Sequence, residues 1–196
     1  MSFHTLHGAA LASAGALIVL LLAATVIDVR TRRIPNALVA SGMLIGLAVH
    51  AVAPAGDGLF ASAWGSIGVV QSLLGLGAGL ALFMPLYLLH ALGAGDVKLL
   101  AMVGAWLGAP LLVGTTLLTL LAGGVMALLA MVLSRTSRQV LANVRFMLTT
   151  ALVGAQTGHL AGLEAPVPGR VRLPYAVAIL VGTAGQLAWQ LAQAAR

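Results

Sequence analysis

The chain carries four acidic side chains, Asp28, Asp57, Asp96 and Glu164, among its 196 residues. Two of them stand where a carboxylate is costly. Asp28 ends an apolar run and precedes Arg30, Arg32 and Arg33, while Asp96 opens another run and is followed by Lys98. Acids at the rim of an apolar segment lose hydration and are often functional. Asp57 lies in a Pro- and Gly-rich turn, an ordinary setting for Asp, and Glu164 in an irregular stretch, so both read as solvated. Two carboxylates brought to contact distance from different helices cannot both ionise cheaply; they share a proton and titrate as a unit. Such a pair can take a proton from water and give one to a leaving amide. Asp28 and Asp96 are therefore a candidate catalytic dyad for peptide hydrolysis. A purely structural reading stands beside it, with Asp28 paired to Arg30 or Arg32 and Asp96 capping the helix that follows it.

The residues before Asp96 sharpen the choice. They read Gly93, Ala94, Gly95, Asp96, and with 24 glycines and three aspartates in 196 residues a Gly-x-Gly-Asp string arises by chance about 0.04 times per chain. Glycine lets backbone approach closely, as a substrate strand or partner helix lying against the acid would need. Lys98 and the N-terminal dipole end of its helix are both placed to stabilise an ionised Asp96. The chain has no cysteine, which excludes disulfides, thiolate metal sites and a cysteine nucleophile. His4, His7, His90 and His159 form no pair with ligand spacing, so neither metal nor cofactor is expected.

Elements that could hold these acids follow from composition. Hydrophobic residues make up 61% and charged residues 7% of the chain, with a mean hydropathy of +1.08, well outside the range of soluble domains. An all-α, polytopic membrane bundle forming a single membrane-embedded domain is expected. At about 20 residues per crossing the length allows about six spans and no separate soluble domain. The net charge of +6 sits in short clusters between apolar runs, the pattern of orienting charges rather than of a nucleic-acid surface.

Span one is read over 9–28; its charges follow rather than precede it, the reverse of a cleavable signal, so it is retained with its N-terminus outside. Span two is read over 35–53, with Pro35 suited to a first helical turn, and Pro54 to Gly58 form an outer turn. The apolar stretch 59–92 is read as one crossing with a leading interfacial segment, because this keeps Lys98 on the side of Arg30 to Arg33. The run 97–133 is broken by Gly108, Ala109 and Pro110 into two spans joined outside. Arg135, Arg138 and Arg145 share one helical face opposite Val140, Val144 and Leu148, the pattern of a helix lying on the inner surface. The stretch 146–163 is read as peripheral or re-entrant, and the last span as 173–194. This threading leaves only Arg196, of ten basic residues, outside.

With the layout in place, the motif residues resemble a known family. Asp28, Val29, Arg30, Thr31, Arg32, Arg33, Ile34, Pro35, Asn36 is similar to the first catalytic motif of bacterial type IV prepilin peptidases. Gly93 to Lys98 is similar to the second, and Leu173, Pro174, Tyr175, Ala176 more loosely to a Pro-containing motif near the last span. The resemblance implies an aspartic endopeptidase in the bacterial inner membrane that removes the basic leader of pilin-like precursors at the cytoplasmic face. It makes Asp28 and Asp96 the catalytic pair, with Gly93, Gly95, Lys98, Pro35, Asn36 and Pro174 positioning motif and substrate. Longer members carry an N-terminal cysteine-containing domain associated with methylation. Its absence here implies a peptidase without methyltransferase activity, like the short enzymes of tight-adherence (Flp) pili. The partners implied are a prepilin or pseudopilin and the lipid bilayer. Two other functions fit paired membrane acids: a presenilin-like protease cutting within spans, against which the Asp28–Asn36 motif argues, and a small proton-coupled transporter or channel.

Overall fold

Apolar runs of this length satisfy their backbone internally only as helices, and the described residues are helical accordingly. The computed structural model describes residues 3–60, 65–89, 91–133 and 173–194, together with Arg145 and Thr149. Its elements are α1 (Phe3–Thr31), α2 (Asn36–Val52), α3 (Val69–Leu88), α4 (Ala94–Leu133) and α5 (Tyr175–Ala194). One compact unit comprises Met1–Gly123 with Pro174–Arg196, and a second comprises Gly124–Leu173. The surface helix expected around 135–148 and the peripheral segment 146–163 lie outside the described residues, apart from Arg145 and Thr149, which are helical and exposed.

Boundaries follow local chemistry. α1 runs past its expected end at Asp28 because Arg32, at φ 55°, closes it in the left-handed conformation, its N–H reaching back to the Asp28 carbonyl at 2.8 Å. This is the αL manner of ending a helix, usually given to glycine. Pro35 takes the N-cap of α2 at φ −64° and ψ 128°, one residue before the helical position expected for it, and its carbonyl accepts the Val39 N–H at 3.3 Å. α3 supplies the single crossing expected within 59–92, preceded by a loop in which Ala55 bridges Ser66 and Leu59 and Phe60 are buried.

Among the described residues, four helices are long and apolar enough to cross a membrane: Ala10–Thr31, Val69–Leu88, Ala94–Leu133 and Tyr175–Gln193. The difference from the expected six lies in α2, a shorter apolar helix, and in α4. A straight helix of 40 residues would be about 60 Å long, twice the hydrocarbon core. α4 instead turns at Gly108, whose φ of 73° and ψ of 168° are not helical, at the break read from the sequence. Beyond the corner, a side chain on Gly104 would meet Leu112 Cδ2 at 3.0 Å, and Gly123 lies against Tyr175, which is itself within electrostatic reach of Asp96. A straight α4 would hold Asp96 and Gly123 about 40 Å apart, so its two legs run back along each other.

Small residues set the packing, as in helix pairs in lipid. A side chain on Gly79 would meet the Ala101 Cα at 2.7 Å, and one on Gly75 the Gly108 Cα at 2.7 Å, so α3 lies backbone to backbone against the first leg of α4. Ser72 adds a hydrogen bond to the Ala105 carbonyl. α2 meets the same leg through Trp106, whose Nε1 donates to the Gly42 carbonyl at 2.9 Å while His50 Nε2 pairs with the Trp106 carbonyl at 3.2 Å. The second leg meets α5 where Gly114 abuts Gln186 and Gly182 abuts Thr119. Thr25 Oγ1 donates to the Ala176 carbonyl at 3.3 Å, tying α1 to the start of α5.

These contacts give a stability test. Gly75→Ala is expected to destabilise the protein by about 1–3 kcal/mol through overpacking. Gly77→Ala, on the same helix with nothing within 4 Å, is expected to be neutral or to stabilise by about 0.5–1 kcal/mol. Unfolding midpoints of the purified variants in detergent distinguish the two sites.

Candidate active site

Four chain segments meet at one end of the bundle: the C-terminus of α1 and the N-termini of α2, α4 and α5. Asp28 occupies the last turn of α1 and is 8% exposed. Its backbone carbonyl closes the helix through Arg32, and Thr31 Oγ1 shares its proton between the carbonyls of Ile27 at 2.8 Å and Arg33 at 3.0 Å, stiffening the turn that follows the acid.

Asp96 is the third residue of α4, not its N-cap as the structural reading of the sequence had it. Gly93 holds the cap: its carbonyl accepts the Asp96 and Val97 N–H groups at 3.1 and 3.4 Å. The carboxylate reaches back so that Oδ2 accepts the Gly93 N–H at 3.0 Å, the acid's half of a capping box. This bond fixes the rotation of the carboxylate. A side chain at Gly93 would stand 3.3 Å from Oδ2, crowding the acid, which explains a glycine there.

The two acids lie within electrostatic range of each other. The motifs that carry them also touch. A Cβ on Gly95 would meet the Ile34 Cβ at 3.3 Å and its Cδ1 at 3.4 Å, so the loop after α1 rests on the first turn of α4. Lys98 Nζ donates to Asn36 Oδ1 at 3.1 Å; the lysine expected to serve Asp96 thus has a partner on α2. Pro174 directly precedes α5, and its carbonyl accepts the Val177 N–H at 3.1 Å.

Tyr175 went unremarked as a site residue in the sequence. It lies within electrostatic reach of Asp96, packs edge-to-face on Phe83 with ring centroids 5.9 Å apart, and its hydroxyl faces Gly123 where a side chain would come within 2.6 Å. Its place directly after Pro174, as one of only two tyrosines, was the available signal. His50, also passed over, is buried at the opposite end of the bundle. Asp57 is exposed, as expected of a turn residue, while His90, His159 and Glu164 lie outside the described residues.

Residues 15–128 match the type IV leader peptidase family, a stretch containing both Asp28 and Asp96. Two prepilin leader peptidase/N-methyltransferases of Burkholderia pseudomallei, from strains 1026b and K96243, are each 39% identical over 124 residues, 63% of this chain and 38% of theirs. One of the same name from Stutzerimonas stutzeri is 38% identical over 117 residues, 58% of this chain and 39% of its own. The match thus spans about two fifths of these relatives' length. No solved structure matches. An all-α protein whose described residues include four helices long and apolar enough to cross a membrane is the class that the fold defines. The chain belongs to the type IV leader peptidase family.

The capping bond separates two roles of Asp96. Asp96→Ala removes the acceptor for the Gly93 N–H and is expected to cost about 1 kcal/mol of stability, as loss of a helix cap does. Asp96→Asn retains an oxygen acceptor and is expected to unfold within about 0.5 kcal/mol of the parent. Denaturant midpoints in detergent measure both.

Proposed function

We propose that this protein is an aspartic endopeptidase that removes the leader peptide from type IV prepilins of the tight-adherence (Flp) class, at the cytoplasmic face of the bacterial inner membrane. What supports the reading is the placement of Asp28 and Asp96, on separate helices, within electrostatic range at one end of an apolar bundle. The family and the names of the relatives support it. The face is argued from charge: Arg30, Arg32, Arg33 and Lys98 all belong to the site end, and basic residues favour the cytoplasm.

In this mechanism the pair holds one proton. The ionised carboxylate takes a proton from a water as its oxygen attacks the scissile carbonyl carbon, and the protonated one donates to the carbonyl oxygen. Collapse of the tetrahedral adduct breaks the C–N bond: the proton gained from water passes to the leaving amine while a hydroxyl of the adduct returns its proton to the other carboxylate, so the pair again holds one proton. A pilin precursor carries its own membrane helix, so it approaches laterally and presents an unwound leader at the helix ends. Edge pairing of that leader with backbone near Gly93 or Pro174 would hold it extended.

Co-expression with an Flp-type prepilin tests the proposal. The wild type is expected to shift the precursor to the shorter mature form on a gel. Asp28→Asn and Asp96→Asn are each expected to lower processing about 1,000-fold or more, with the protein still inserted in the membrane. Unchanged processing by either variant would refute the assignment. A precursor left intact by wild type, in liposomes where the protein moves protons, would favour a transporter.

A further inference from the structure

Neither acid is fixed in the middle of a packed helix. Asp28 lies one turn from the end of α1 and Asp96 in the first turn of α4, so their separation is set by whatever joins those ends. Contacts of two kinds join the motifs among the described residues. The inner one is apolar, Ile34 against Gly95. The outer one is polar, Lys98 Nζ on Asn36 Oδ1 at 3.1 Å, between residues 62 apart in sequence. Asn36 is the first residue of α2 and Lys98 the fifth of α4, so one bond fastens the two N-terminal turns that carry the motifs.

Resting on the peptidase reading above, we infer that Asn36 and Lys98 form a latch: a positioning pair that holds the two halves of the dyad at working distance and takes no part in the chemistry. The residue types fit that task. A lysine could hydrogen-bond any acceptor, but an aspartate at position 36 would place a third carboxylate beside two that must already share a proton. The amide of Asn36 accepts the bond while leaving the lysine charge intact. The bond is exposed, and a single exposed hydrogen bond adds little to global stability. Its loss therefore shows in the geometry of the acids before it shows in folding. Rate is sensitive to such geometry, since misplacement by about 1 Å can cost on the order of 100-fold.

The experiment uses the full-length protein in detergent or liposomes with a purified prepilin, comparing wild type, Asn36→Ala, Lys98→Ala, the double variant and Lys98→Arg. Each alanine variant is expected to lower kcat about tenfold with KM changed less than about twofold, because the acids are displaced and the leader-binding surface is not. The double variant is expected to match the poorer single variant, as coupled residues do. Lys98→Arg, which can reach the same oxygen, is expected to recover most of the rate, and unfolding midpoints are expected to stay near wild type. Losses that multiply in the double variant, fall on KM alone, or are absent would overturn the latch.

A covalent substitute gives a second, independent readout. The chain has no cysteine, and the 3.3 Å between the Ile34 Cβ and the Cβ position of Gly95 is a few tenths of an ångström short of the roughly 3.5–4.5 Å a disulfide spans, so a small outward shift of either residue admits the bridge. In the Lys98→Ala background, Ile34→Cys with Gly95→Cys is expected to cleave at least about fivefold faster oxidised than reduced. A bridge that fails to form, or forms without raising the rate, would overturn the proposal. Wild type failing to cut the prepilin would sink the peptidase reading itself, an outcome separate from these.

Discussion

Two carboxylates within electrostatic reach of each other at one end of an apolar bundle repel when both are charged. That repulsion is the constraint around which the site is built. A low-dielectric surrounding magnifies like-charge repulsion, so the acids stay together only if the backbone that carries them cannot yield. Each is set beside a helix end, where main-chain groups without helical partners are at hand. The Gly93 N–H holds Asp96 by one oxygen, and the left-handed turn at Arg32 ends α1 one turn after Asp28. The motif residues between and around the acids supply the closure, Ile34 seated on Gly95 and Asn36 bonded to Lys98.

The rest of the first unit braces this end from a distance. Inside lipid there is little hydrophobic drive for helices to associate, so close van der Waals approach and satisfied polar groups must do it. Gly75, Gly79 and Gly104 let α3 and α4 touch through their backbones. At the opposite end from the acids, His50 joins the Trp106 carbonyl, and Ser66 bonds the His50 carbonyl, so the loop before α3 is tied to α2 and through it to α4. Thr115 and Thr116 return their hydroxyls to carbonyls one turn back, Leu111 and Leu112, which spares two buried polar groups on the second leg of α4. With the far end fixed, the helices deliver their other ends to a defined place.

Much of this was legible in the residues. The helix limits of α2, the break at Gly108, the single helix within 59–92 and the start of α5 follow from hydropathy, Gly and Pro, signals that act locally. Asp28 and Asp96 stood out because charge is scarce in an apolar chain. What the sequence hid was relational. Asp96 looked like an N-cap because a cap and the third helical position differ only in which residue turns first, and Gly93 could take the turn unnoticed. Lys98 looked like a partner for Asp96 because it is near in sequence, while its bond reaches Asn36, which no periodicity links to it. Tyr175 was named within the last motif but given no role, and His50 was passed over, because a lone Tyr or His in an apolar run looks like packing until the opposing helix is known.

The central claim, that Asp28 and Asp96 face one another across a single site, is open to a direct distance test in the membrane. With no native cysteine to interfere, Asp28→Cys and Asp96→Cys can be introduced together and treated in isolated membranes with a short bifunctional thiol reagent. An intramolecular cross-link joining the two positions in high yield is expected, seen as one joined fragment after proteolysis between them. Two cysteines that each take up a monofunctional label and yet never become joined would contradict it.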